Sequence, residues 1–372
     1  VKELELPPPA SIFPAVIRRI IIPLGIFACF VIAILLFAMD RQPAYRGRTV
    51  ETWALMLKSP DPSEAREAQT AFRTFGSNAI PKLIRMLTEP DTLIGARVRD
   101  AVVKSPAPIR IRLPKHMLRE SPEWRNLCAA HAIGVLGKEG ATAVNALAGV
   151  MENGPPPLRL EAASALSAIG SPSLPQLMQS ATNRNAEVRT LAAYALGSMG
   201  SEASPAIPAL VALLDDDDSN VRAKAIWSLA GIGPPSRPDL DRKVRHGTGP
   251  GRIAAAETYV KVASSHADAL QHLELLLSDT DERVRLGGLE LVAKLPGRGL
   301  ASIMILTNAL ADSAAGVRSA AAVALADSSP PYRPSIIPVL TAVARQDAAP
   351  EVRNAAQQSL DALAQKAATG PR

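Results

Sequence analysis

From Arg159 onward an arginine recurs along this 372-residue chain at a nearly fixed interval, and each time it opens the same short pattern. The stretch from Glu187 to Gly200, EVRTLAAYALGSMG, shows the unit most plainly. Its Val188, Ala192, Ala195, Leu196 and Met199 fall at helical spacing and make one apolar face. Arg159, Arg189, Arg222, Arg252, Arg285, Arg318 and Arg353 share the register, at steps of 30, 33, 30, 33, 33 and 35 residues. Six residues before each stand Asn153, Asn183, Asp216, His246, Asp279, Asp312 and Asp347. Units of this length cannot bury an apolar face alone, so each must stack on its neighbours. The fold class expected is all-α, a solenoid.

Between these B-type helices lie shorter A-type ones: IPKLIRML from Ile80, AIPALVALL from Ala206, LQHLELLL from Leu270 and IIPVLTAVA from Ile336. Pro81, Pro175, Pro208 and Pro338 are expected in their first turns, where a missing N–H is harmless. Ankyrin and tetratricopeptide repeats have similar periods, but neither TPLHxA nor a W…LG…Y pattern is found. What the units resemble is the HEAT repeat, in its short bacterial, PBS-lyase-like form with the hallmark D-x4-VR-x2-AA-x-AL-x2-LG. The resemblance is dense from about Ala141 to the C-terminus and looser from Val50 to Gly140. It implies a right-handed superhelix of roughly nine helix pairs, with B helices lining the inner curve.

The repeated polar residues have an architectural reading. Asp216, Asp279, Asp312 and Asp347 in the turns can accept from free N–H groups of the next helix. The arginines, one turn in, can bond a neighbouring repeat and form a ladder along the stack.

The N-terminal part is different in kind. Residues 1–15 read as a short tail, with three consecutive prolines at Pro7 to Pro9. Ile20 to Met39 is a run of 20 residues without a charge, long enough for a hydrocarbon core of about 30 Å. It lacks an A-x-A cleavage site. A single transmembrane anchor over residues 16–40 is therefore expected ahead of the solenoid. Arg18 and Arg19 hard against the run favour a cytoplasmic N-terminus, hence a bacterial inner-membrane protein with its solenoid outside. Residues 41–48 read as a spacer, 49–367 as the solenoid and 368–372 as a tail. The opening YRGRTVETWALML is similar to the first segment of membrane-anchored bacterial HEAT proteins and would cap the open end of the stack.

Two stretches break the pattern and read as insertions, at about 105–121 and 234–250. In the second, PPSRPDLDRKVRHGTGP, only Leu240 and Val244 remain apolar, so a loop or poorly packed helix is expected. Both stretches are basic. Lys104, Arg110, Arg112, Lys115, Arg119 and Arg125 crowd the first; Arg237, Arg242, Lys243, Arg245 and Arg252 crowd the second. Of these, Arg110, Arg112, Lys115, Arg237, Arg242, Lys243 and Arg245 are the candidate partner-binding residues.

Catalytic constellations are not found. The five histidines form no HExxH or close pair, and there is no nucleophile elbow or phosphate-cradling loop. Bilin lyases share the repeat, but the repeat itself carries no chemistry. No cofactor or metal is expected, and two cysteines, Cys29 and Cys128, make no disulfide framework. The function expected is a membrane-anchored scaffold for protein–protein interaction without catalysis. The alternative is a binder of nucleic acid or anionic lipid through residues 104–125 and 237–252. Few aromatics interleave with those cations, which argues against nucleic acid.

Overall fold

The computed structural model describes residues 43–88, 122–247, 249–296 and 299–368. Within them the chain is helical almost throughout. The pairs in order are α1 (Val50–Met56) with α2 (Pro62–Phe75), α3 (Ile80–Thr88) with α4 (Pro122–Leu136), and α5 (Val144–Asn153) with α6 (Pro156–Ile169). Next come α7 (Leu174–Ser180) with α8 (Ala186–Ser198), α9 (Ile207–Ala212) with α10 (Ser219–Ile232), and α11 (Arg237–His246) with α12 (Gly249–Val262). The last are α13 (His266–Leu277) with α14 (Glu282–Lys294), α15 (Leu300–Ala309) with α16 (Ala315–Leu325), and α17 (Arg333–Gln346) with α18 (Pro350–Ala368). Among the described residues this makes nine pairs. Each even-numbered helix, from α2 to α18, packs on the next, and the odd-numbered helices form a second layer against them.

The even-numbered helices owe their close stacking to small residues. Three places after the arginine stand Ala162, Ala192, Ala225, Ala255, Gly288, Ala321 and Ala356, all buried. A Cβ on Gly288 would lie 2.8 Å from the Leu276 Cβ, so small size here lets a B helix close on its own A helix. Seven places after the arginine, Leu166, Leu196, Leu229, Val292 and Leu325 fill the interior and are fully buried. Gly170 and Gly233 end their helices at φ 80° and 82°, a left-handed conformation that side chains resist.

Three expectations need correction. Residues 234–250 are not a projecting loop: a short 3-10 turn, Pro234–Ser236, leads into α11, whose Leu240 and Val244 are fully buried. Two apolar residues one turn apart suffice because α11 covers the stack with one narrow stripe, while Asp239 and Asp241 form ion pairs along the helix and Asp241 also meets the buried His272. Pro338 is not in a first turn. It lies inside α17, which begins earlier with Pro334 in its opening positions. The stretch read as a polar spacer holds a hairpin, in which Ala44–Tyr45 pairs antiparallel with Arg48–Thr49 through an Arg46-Gly47 turn with both φ values positive.

The third correction concerns location. Among the described residues no helix is long and apolar enough to cross a membrane, so the single-pass membrane placement, inner membrane and external solenoid included, is not upheld. Ile20 to Met39, on which that expectation rested, lies outside the described residues, as does the stretch 105–121.

At the N-terminal end the hairpin closes the stack. Tyr45 packs on Trp53 and Phe75, with ring centroids 5.9 and 6.5 Å apart, and the Trp53 indole donates to the Tyr45 carbonyl at 3.0 Å. Trp53 is fully buried beneath this lid.

Candidate protein-interaction surface

The turns between helices fix how one repeat sits on the next. Arg189 forks onto Asp216 of the following repeat, Nε to Oδ2 at 2.6 Å and Nη2 to Oδ1 at 2.7 Å. Arg285 does the same to Asp312, at 2.9 Å for both bonds, and Arg318 to Asp347, at 2.8 and 2.9 Å. Arg252 pairs with Asp279. With its remaining amine each of Arg189, Arg285 and Arg318 holds two carbonyls of its own turn. Arg353 and Arg222 make only that second set, Arg222 to the carbonyls of Asp216 and Asp217 at 2.7 and 2.9 Å. Arg159, whose neighbour offers Asn183 rather than an aspartate, reaches Glu187 at 2.6 Å instead.

The ladder aspartates also order their own turns, in a way that differs from simple helix capping. Asp216, Asp279, Asp312 and Asp347 accept from the N–H two residues on, at 2.8–2.9 Å. At Asp218, Asp281 and Ala314 the residue there is the N-cap of the next helix, and the Asp218 and Asp281 side chains accept from that helix, as Asn185 does two residues after Asn183. The guanidinium of Arg189 holds the Asp216 carboxyl below the usual carboxylate range, as Arg285 does for Asp312 and Arg318 for Asp347.

The basic candidates are already engaged. Arg242 pairs with Asp239 and Arg245 with Asp241, both at 2.8 Å, while Lys243 pairs with Asp215 and Arg237 donates to the Val262 carbonyl. With Arg252 in the ladder, residues 237–252 present no arginine or lysine lacking an intramolecular acceptor. Arg110, Arg112 and Lys115 lie outside the described residues. Among the described residues no group of three or more His, Cys, Asp or Glu could hold a metal ion.

The exposed surface of the even-numbered helices offers something else. Five places after the arginine stand Ser164, Tyr194, Trp227, Glu257, Glu290, Val323 and Gln358. Tyr194 on α8 and Trp227 on α10 are stacked, centroids 5.9 Å apart and planes 18° apart. The Lys224 ammonium lies 5.4 and 5.0 Å from the two ring centres. Trp227 remains 47% exposed, and Leu160 on the preceding α6 is 50% exposed. The rings meet because α8 and α10 approach closely: a Cβ on Gly197 would lie 2.7 Å from the Ser228 Cα. The Ser228 hydroxyl donates across the gap to the Ala193 carbonyl at 2.7 Å. Sequence reasoning passed over Tyr194, Lys224 and Trp227. Aligning the units on their arginines would have found the two rings, since they occupy one register position in consecutive repeats.

Paired helices in two layers, joined by one repeated Arg–Asp bond, define an α-solenoid of two-helix repeats. The family model for HEAT repeats matches residues 111–197, 144–230, 174–261, 207–293 and 270–361, more than half of the chain. The chain belongs to the HEAT-repeat family. It is similar to an engineered protein, 21% identical over 85% of this chain and 98% of that one, TM-score 0.31. It is similar also to yeast importin-β, 13% identical over 87% and 56%, TM-score 0.41, of whose length it spans little more than half. An archaeal HEAT-like repeats protein from Thermococcus onnurineus NA1 is 16% identical over 73% and 97%, TM-score 0.30. No curated protein matches the chain.

Proposed function

We propose that this chain is a non-catalytic scaffold that binds a partner protein along the exposed row of its even-numbered helices. The observation that carries this reading is the stack of half-buried Tyr194 on exposed Trp227, with Leu160 exposed on α6. Tyrosine and tryptophan supply large contact area at little entropic cost and dominate the energetics of protein interfaces. Repeat solenoids use extended surfaces of this kind, and nothing in the row calls for a substrate or cofactor. Within 237–252, Arg242, Lys243 and Arg245 each face a carboxylate, which leaves less net positive charge there to draw nucleic acid or an anionic surface.

A photo-crosslinking residue at Ser164 or Gln358, beside the stack and far from it, tests the proposal, with a third at Met304 on the opposite layer. Discrete adducts to one protein from the Ser164 site, weak or missing from Met304, are expected in the native cell extract. Adducts confined to Met304, or none at either Ser164 or Gln358, would refute it.

A further inference from the structure

We propose that the Tyr194–Lys224–Trp227 patch receives an extended acidic segment of the partner, in which a carboxylate side chain neighbours two apolar ones. The inference rests on reading this row as a protein-binding surface, and adds the chemistry of what binds.

Charge balance carries the argument. On the four helices α6, α8, α10 and α12, Arg159, Arg189, Arg252 and Lys261 each meet a carboxylate. Arg222 is taken up by two carbonyls of its own turn. Lys224 meets only the two rings; among the described residues no carboxylate lies within ion-pair distance of it. The glutamates of these four helices are committed: Glu161 is held by Lys58 at 2.9 Å and by His131 at 2.7 Å, Glu187 by Arg159 at 2.6 Å, and Glu257 by Lys261 at 3.0 Å. Lys224 is therefore a positive charge on this face without a carboxylate partner, set beside both aromatic rings. A carboxylate arriving there gains a charge-assisted hydrogen bond partly shielded from water.

Spacing identifies the form of the segment. The ring centroids are 5.9 Å apart. Side chains on one side of an extended chain repeat about every 6.6 Å, so alternate apolar residues reach the two rings in turn. A partner helix would present its neighbours on one face through i, i+3 and i+4 instead and would need a groove, not a ridge of stacked rings.

Short fluorescent peptides with two apolar residues at alternate positions and Glu, Gln or Lys beside them provide the test. Their binding to the full chain is read by anisotropy. The Glu peptide should bind about tenfold tighter than the Gln peptide, and the Lys peptide weakest. Lys224→Glu should invert the order, and Trp227→Ala should abolish binding of all three with the far-UV spectrum unchanged. Equal binding of the Glu and Gln peptides, an unchanged order in Lys224→Glu, or no saturable binding of any peptide overturns the acidic segment. The cross-linking pattern from Ser164 decides separately whether the row binds protein at all.

Discussion

Arg285 and Asp312 are respectively 12% and 14% exposed, sheltered enough for their paired bonds to count and open enough for solvent to moderate the charge. Asp312→Asn keeps an oxygen for the Ala314 N–H but loses the charged rung. It is expected to lower stability by about 1–2 kcal/mol in denaturant unfolding at neutral pH. The sign of its pH dependence follows from the lowered carboxyl pKa. The folded state binds fewer protons than the unfolded chain, whose aspartates titrate near about 3.9, so the rung is worth most above that value. It is lost as pH falls through the folded pKa, and wild type and Asp312→Asn should converge there; a gap that widens in acid would contradict this. The aspartate–arginine register was plain in the sequence because it recurs. The division of labour within each turn was not, since Asp216 and Asp218 are the same residue type two places apart, and only geometry separates rung from cap.

At the scale of the helix, the glycine eleven places after the arginine is a conformational requirement rather than a gap. Gly233 has φ 82°, and a Cβ there would meet nothing within 4 Å, so any cost of substitution comes from the backbone alone. Gly233→Ala should lose about 1–3 kcal/mol, read from the denaturant midpoint, with no repacking of its neighbours. Periodicity made α6, α8 and α10 legible from Arg, Ala and Leu positions alone. It failed at α11, where RPDLDRKVRH offers two apolar residues in ten. That helix is supported by Asp239–Arg242 and Asp241–Arg245 pairs and by the bond of Asp241 with the buried His272 of α13, while Leu240 and Val244 are covered by the stack. The aromatic pair was hidden for a different reason. Tyr194 and Trp227 lie 33 residues apart in sequence, and they touch only because Gly197 and Ser228 let two helices close.

For the whole molecule, stability is a sum over pairs and the junctions between them, and the ends are the weakest links. The Tyr45–Trp53 lid protects one such end, so Trp53→Ala should remove about 3–5 kcal/mol locally. Hydrogen exchange should then show α1 and α2 opening while α14 to α18 keep their protection; uniform loss along the chain would show a single cooperative unit instead. The junctions also differ in kind. A guanidinium fork on a carboxylate resists twisting as well as separation, and it joins the fourth pair to the fifth, the seventh to the eighth and the eighth to the ninth. Between the fifth and sixth, His246 stands where the aspartate would be, and the packed helices are joined by the single ion pair of Lys243 with Asp215 in place of a fork. That joint, with Trp227 on the helix beside it, lacks the fork's resistance to twisting, as does the junction of the third pair with the fourth, where Arg159 makes one bond to Glu187. Spin labels on α6 and α16 should report a broad spread of separations, and His246→Asp, by giving Arg222 a carboxylate to grip, should narrow it.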